Sequence, residues 1–236
     1  MPPTPNHRNL APKIIFEDQH LLVLSKPAGL LSQGEHTGDE NLVDWLRIYL
    51  GRPYVGLIHR LDRNTSGLMV VAKRTKSAQR LTEALQAGKI QRNYLAWVYG
   101  TLPAPVRWSH VLQKDERQNK VRVVKGDGSM IGKHSALTAN PLSYSKWNTN
   151  PITLVEFVLE TGRSHQIRVQ SSHEGFPLLG DTKYGLAAKP GGLSRGPVFS
   201  RVALHSHSLE FPHPMSGEIL KFAEPLPPEL VQGNLG

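Results

Sequence analysis

The stretch VGLIHRLDRNTSGLMVVA, residues 55–72, is where the fold is most legible. Two short apolar runs, Val55–Ile58 and Leu68–Ala72, flank a polar centre, HRLDRNTSG. Apolar runs of this length bounded by turn residues predict buried strands, so the polar centre is expected in a loop between them. Thr65 and Ser66 suit local backbone hydrogen bonds and Gly67 suits a tight turn. Such a loop can hold one carboxylate, Asp62, in a fixed place, two residues from Arg60 and adjacent to Arg63. Taken as an arbitrary loop, it is better read as a solvated turn with a routine ion pair.

Working outward, IIFEDQHLLVLSKP (residues 14–27) reads as strand, turn and strand, and Lys26-Pro27-Ala28-Gly29 then breaks the pattern. Over residues 40–50, Leu42, Trp45, Leu46, Tyr49 and Leu50 share a helical face, with Gly51 as the stop. Thr75 to Gly88 predicts a second helix: Thr75 as cap, Ala78, Leu81 and Leu85 as the stripe, Gly88 as the end. Residues 90–99 predict a strand whose alternation places Tyr94 opposite Trp97 and Tyr99, the latter two in the core. Lys120–Val124 and Lys133–Ala139 flank KGDGSM, a hairpin-like turn, and Ile152–Glu160 is a further strand. Gly162 breaks that strand, and Ser164 is placed to cap a short helix running to about Ser172. Ala203–Phe211 and Glu218–Ala223 fit two last strands. Residues 101–118, 140–151 and 186–200 read as surface loops, the last of them basic and flexible.

Strands far outnumber helices and several adjoin through short turns. The expected fold class is therefore α+β, a mixed and largely antiparallel sheet with flanking helices and a central cleft. No internal repeat is visible. Residues 1–12 read as a flexible tail, and residues 13–236 as a single domain with no separate domain before it.

Composition narrows the function. At 236 residues, 39% hydrophobic and 20% charged, the chain has an ordinary globular make-up. With 21 Gly and 18 Pro, about one residue in six, turns are frequent, which favours sheet over helical bundle. Lys and Arg number 28 against 19 acidic residues, a formal charge of +9. A basic soluble protein is drawn to polyanions, nucleic acid foremost. The absence of cysteine excludes disulfides, thiolate catalysis and cysteine-based metal sites. No apolar run is long enough to cross a bilayer, and Met1–Pro12 has no apolar core of a secretory signal. A cytoplasmic protein is expected, without membrane partner.

A second polar cluster is Gly162-Arg163-Ser164-His165-Gln166-Ile167-Arg168. With a helix starting near Ser164, His165 and Arg168 share a face at i, i+3 and offer a ring and a guanidinium to a phosphate, base or carboxylate. A helix on a basic surface fits equally. His205 and His207 invite a zinc reading, but no third ligand is evident and the structural reading is stronger. DGSMIGKH fails as a phosphate-binding loop, because Asp127 stands at the first glycine position and His134 follows Lys133. No metal site is expected.

HRLDRNTSGLMVVAK resembles the signature of the pseudouridine synthases of the RluA type, which act on ribosomal and transfer RNA. IIFEDQHLLVLSKPAGL resembles the opening hairpin of that family, and RNYLAWVYG its tyrosine strand. ETGRSHQIRV followed by GFPLLGDTKYG resembles its arginine segment, and RVALHSHSLEFPHP its late strand. Five segments in consistent order span roughly residues 14–225. The departures are Ser164 where Thr is usual, Arg92-Asn93 before Tyr94, Gln170-Ser171-Ser172 in place of a more apolar turn, and Ser206 in place of Ala. They bear on RNA preference more than on chemistry.

The resemblance implies an enzyme that isomerises uridine within structured ribosomal or transfer RNA. No atoms are gained and no redox change occurs, so no cofactor is implied. It makes Asp62 the catalytic carboxylate, Arg168 its charge partner, and Tyr94 the ring that stacks on uracil. Arg60 would fill the space of the flipped base, and Ile167 would wall the pocket. His59, Arg163 and His165 are expected near the RNA, with structural roles open for both histidines. Two rivals stand beside this reading: a non-catalytic RNA-binding protein on the same fold, and a metal-dependent nucleic-acid hydrolase. The intact Asp62, Tyr94 and Arg168 set argues against the first, and the lack of clustered carboxylates and histidines against the second. A monomer is expected.

Overall fold

A computed structural model describes residues 10–34, 38–124, 132–147, 149–185 and 201–231. The opening hairpin is as expected: β1 (Lys13–Glu17) pairs antiparallel with β2 (Leu21–Lys26). The first helix, α1 (Leu42–Leu50), begins at Asn41, whose side chain accepts the Asp44 amide, and ends at Gly51 in the left-handed region at φ 60°. Leu42 and Leu46 are buried. Tyr49 departs from the predicted stripe: it lies on the surface, stacked on Trp45 and donating to Glu17.

β3 (Gly56–Leu57) and β4 (Ser66–Ala72) bracket the polar centre as predicted, and every residue of β4 is buried. α2 (Thr75–Gln86) buries Ser77, Leu81 and Ala84 against the sheet. Its N-cap is Arg74 rather than Thr75, because the chain enters the helix one residue early and Thr75 is already helical. β5 (Gln91–Tyr99) carries Tyr94 into the cluster of Leu61, Phe157 and Ile167, and Trp97 and Tyr99 into another with Ile152 and Leu179. The alternation is the one read from sequence.

Two expected loops are strands. β6 (Val106–Asp115) occupies most of residues 101–118, and β8 (Lys133–Trp147) and β9 (Asn150–Leu159) cover residues 140–151 except for their turn. Pro141 inside β8 sits where the register with β9 shifts between Pro141 and Ser143, the kind of irregularity at which sheets admit proline. β7 (Lys120–Val124) does not form a hairpin with β8; β6 lies between them and pairs with both. KGDGSM and the loop 186–200 lie outside the described residues.

The described strands form one sheet in the order β1-β2-β4-β10-β5-β9-β8-β6-β7, where β10 is Leu204–Pro212. β11 (Ile219–Ala223) pairs with β10, and β3 with β4. All pairings are antiparallel except β4 with β10. The third helix, α3 (Gln166–His173), contacts β6 and β7. Among the described residues no helix is long and apolar enough to cross a membrane.

The parallel seam is tight. Gly67 pairs with Ser206 at φ 113°, and a Cβ there would overlap the Ser206 carbonyl and amide. Gly67→Ala therefore combines a left-handed penalty with backbone overlap, an expected loss of about 2–5 kcal/mol. A denaturant midpoint within error of the parent would contradict this.

Candidate active site around Asp62

The loop that carries Asp62 is pinned on both shoulders. Ser32 Oγ donates to the Leu61 carbonyl at 2.6 Å and accepts the Leu61 amide at 3.1 Å. On the other side the Gly29 amide donates to the Arg63 carbonyl at 2.7 Å, and Arg63 Nε returns a bond to the Gly29 carbonyl. Beneath them Lys26, fully buried, donates from Nζ to the carbonyls of Pro27, Leu30 and Arg63. Burial pushes its ammonium down to about 7 against the pull of Asp62, with Arg201 adding to the fall. The segment read from sequence as a mere break is thus the brace of the carboxylate.

The start of α3 is set by Gln166, not by Ser164. Its Oε1 accepts from Thr161 Oγ1 and the Arg163 amide, and its Nε2 donates to the Ala136 carbonyl. His165 is the N-cap, held at φ 52°, an uncommon conformation for a residue with a Cβ. Its Nδ1 lies 2.7 Å from the Tyr184 hydroxyl, and its Nε2 lies 3.9 Å from Asp62 Oδ1. Burial lowers its pKa, with Arg168 and Lys183 adding and Asp62 opposing.

Arg168 donates from Nη1 to Asp62 Oδ2 at 2.8 Å. Its other two donors go to a partner that the sequence reading missed: Nε and Nη2 meet Asp181 at 2.7 and 2.9 Å. Burial would weaken the guanidinium's hold on its proton, but the bonds and charge of Asp181, then of Asp62, outweigh it and raise the pKa. The Asp181 carboxyl is likewise pulled below the ordinary range: burial opposes ionisation, and Arg168 with the amides of Tyr184 and Lys183 overcomes it. Tyr184 places its ring under the guanidinium, 5.1 Å from Cζ to centroid. The only sequence signal for either residue lay in GDTKYG, quoted as a segment without a role.

Asp62 itself is 27% exposed, and among the described residues its Oδ1 receives no hydrogen bond. Tyr94 is buried, and burial pushes its phenol above the ordinary value; Arg92 and a hydrogen bond with Ser206 oppose this, while the Asp62 charge adds to it. Ile167 packs in the same cluster as Tyr94. Arg60 and Arg163 are exposed, the latter with Nε on the His134 carbonyl.

His59 turns inward, accepting the Val70 amide at Nε2. Burial, then Arg92, pushes it down to about 3; burial, then Arg201 and His207, pushes His205 down to about 4. An unfolded imidazole takes a proton near 6.5. As pH falls below that value the unfolded chain binds protons that the folded one excludes. Stability is therefore full above about pH 6.5 and is lost on acidification, by at most about 1.4 kcal/mol per pH unit per ring. Denaturant midpoints at stepped pH check this; no fall between about pH 6.5 and 4.5 would mean that both rings charge in place.

Two further groups of polar side chains lie away from Asp62. A cavity of about 580 Å³ lined by Ser25, Lys26, Ser66, Arg201, His205 and Glu224 does not include Asp62. There Ser66 Oγ meets His205 Nδ1 at 2.9 Å and Ser25 Oγ donates to Glu224. His207 Nδ1 faces the Glu224 carbonyl, and His205 Nε2 lies 3.8 Å from the Glu224 carboxylate. His110, His173 and Glu174 converge, but His110 has the Gln170 amide at Nδ1 and Glu174 at Nε2.

The site thus sets one partly exposed carboxylate against an arginine and within the electrostatic reach of a buried tyrosine, on a basic, largely antiparallel sheet. Residues 20–173 match the family model described as RNA pseudouridylate synthase. The ribosomal large subunit pseudouridine synthase D of Xanthomonas campestris pv. campestris is 37% identical over 92% of this chain and 66% of its own length. That of Vibrio cholerae is 34% identical over 97% and 71%. The solved human RNA pseudouridylate synthase domain containing 1 superposes with a TM-score of 0.76 at 25% identity, covering 94% of this chain and 87% of that one. The chain belongs to the RNA pseudouridylate synthase family, isomerases that act on RNA, and spans about two thirds of the length of these two curated relatives.

Proposed function

We infer that this protein converts uridine to pseudouridine in structured ribosomal RNA, the substrate class named in its relatives, and that Asp62 is the catalytic group. One observation carries the assignment of Asp62. It is a carboxylate anchored on one oxygen by Arg168 and left with the other open, beside a buried tyrosine. The reaction breaks the bond from uracil N1 to ribose C1′, turns the base and joins its C5 to the same carbon. The proton lost from C5 is balanced by one gained at N1. Attack on C1′ and removal of a proton from the adjoining sugar carbon both use the free Oδ1. The target leaves its stack at a cost of a few kcal/mol, roughly, and the exposed Arg60 takes the vacated place. Tyr94 stacks on the detached base; its phenol stays protonated at neutral pH, so its part is a proton relay rather than a standing base. Ile167 walls the pocket, and Arg163 contacts the phosphate backbone. His165 orients Asp62 through its near contact and Tyr184 bond, whereas the inward ring of His59 serves the packing of β4.

In this reading residues 13–236 are one catalytic domain, working as a monomer in the cytoplasm without a cofactor. The test is pseudouridine mapping across total RNA from cells with and without the protein. Loss of modification at defined ribosomal positions is expected. Unchanged modification everywhere, with RNA binding intact, would instead favour a non-catalytic RNA binder.

A further inference from the structure

Arg168 faces two carboxylates and serves them unequally. Asp181 takes the two-bond edge, Nε and Nη2, while Asp62 receives the single bond from Nη1. A planar guanidinium favours the paired arrangement with a carboxylate. Were Asp62 its only partner, both Asp62 oxygens would be engaged. Asp181 prevents this because it cannot turn away. Its side chain is 1% exposed, and Oδ1 also accepts the amides of Lys183 at 2.9 Å and Tyr184 at 3.0 Å. The Tyr184 ring supports the guanidinium, and its hydroxyl is fixed by the Val121 amide at 2.8 Å and by His165. Gly185 lets this turn close, since a Cβ there would overlap the Asp181 carbonyl.

We propose that Asp181 is a positioning residue: by occupying the two-bond edge of Arg168, it limits Asp62 to one hydrogen bond and keeps Oδ1 free to react. This rests on the reading of Asp62 as the catalytic group. Asp181 touches no substrate in this scheme and acts wholly through Arg168.

Asp181→Asn keeps the shape and an oxygen for the two amides, and removes the competing charge. A crystal structure of this variant should show Arg168 turned with two bonds onto Asp62. Its kcat should fall about 100-fold, the scale for a displaced group beside the chemistry. RNA affinity should stay within about threefold, because the lost interaction matters only in the transition state. In an Arg168→Lys background, where no two-bond edge exists, Asp181→Asn should cost less than about threefold. Equal losses in both backgrounds would overturn the proposal, as would parental kcat in a folded Asp181→Asn protein. So would an Arg168 still single-bonded to Asp62 in the variant structure, whatever the activity. A parent protein that makes no pseudouridine would instead overturn the functional reading, leaving the crystallographic arm decisive. Should Asp181→Asn not fold, Asp181→Glu keeps a charged carboxylate for the two-bond edge of Arg168. It should hold kcat within about tenfold of the parent with RNA affinity retained, and a folded Asp181→Glu protein that loses about 100-fold while its structure keeps that edge occupied would overturn the proposal.

Discussion

Asp62→Asn is expected to abolish pseudouridine formation while leaving the protein folded and able to bind RNA. The amide is nearly the size of the carboxylate, and Leu61 and Arg63 are held from outside by Ser32, Gly29 and Lys26, so the loop should keep its path. Arg168 loses one bond but retains two to Asp181, and Asp62 is partly exposed, so the stability cost should be about 1 kcal/mol or less. An amide is neither a carboxylate nucleophile nor an effective base. Loss of at least about 10⁴-fold in turnover is expected, the scale seen when an essential catalytic group is removed. RNA affinity should persist or tighten, since one negative charge near phosphate is gone. Pseudouridine formation, affinity and melting are measured on one preparation. A well-folded Asp62→Asn protein with normal turnover would sink the mechanism.

The second large effect is expected for Tyr94→Phe. The ring stays, so stacking in the pocket with Ile167 and Leu61 is retained. Ser206 keeps its own bond to the Leu68 carbonyl, so removing the phenol strands no other buried hydroxyl. Stability should change by about 1 kcal/mol at most. Turnover should fall about 10²–10⁴-fold, the usual worth of a positioned proton-transfer group, with little change in RNA affinity. Single-turnover kinetics separate the two. Near-normal turnover would remove the relay and leave Tyr94 a stacking role alone.

How legible an element is in the sequence depends on how local its signal is. β2, β4 and β5 showed themselves as dense apolar runs, and α2 as a stripe closed by a glycine, because neighbours along the chain carry those patterns. β6 was hidden by Pro103 and Pro105 before it and by its half-exposed alternation near a sheet edge, a weaker pattern than a buried run. The far half of β8 was hidden by Pro141, which the bulge accommodates. The helix of Arg168 lies within two residues of the span its sequence predicts, but its start is set by Gln166, which reaches back to the Arg163 amide, and not by Ser164.

By itself the sequence determined the class of fold, the buried strands around residues 55–72, and, through family resemblance, the choice of Asp62, Tyr94 and Arg168. Those depend on residue type and short-range order. Only the tertiary structure decided what holds them. The Arg168–Asp62 bond spans 106 positions and Lys26 reaches Arg63 across 37. A backbone carbonyl that accepts a bond leaves no mark on the identity of its residue, so nothing in KPAGL announced a brace. A lysine in a sequence reads as solvent-facing, yet Lys26 is buried because three carbonyls replace its water. Asp181 looked like any loop carboxylate until folding closed it against the one guanidinium shared with Asp62, where short distance and exclusion of water turn an ordinary charge into the anchor of the site.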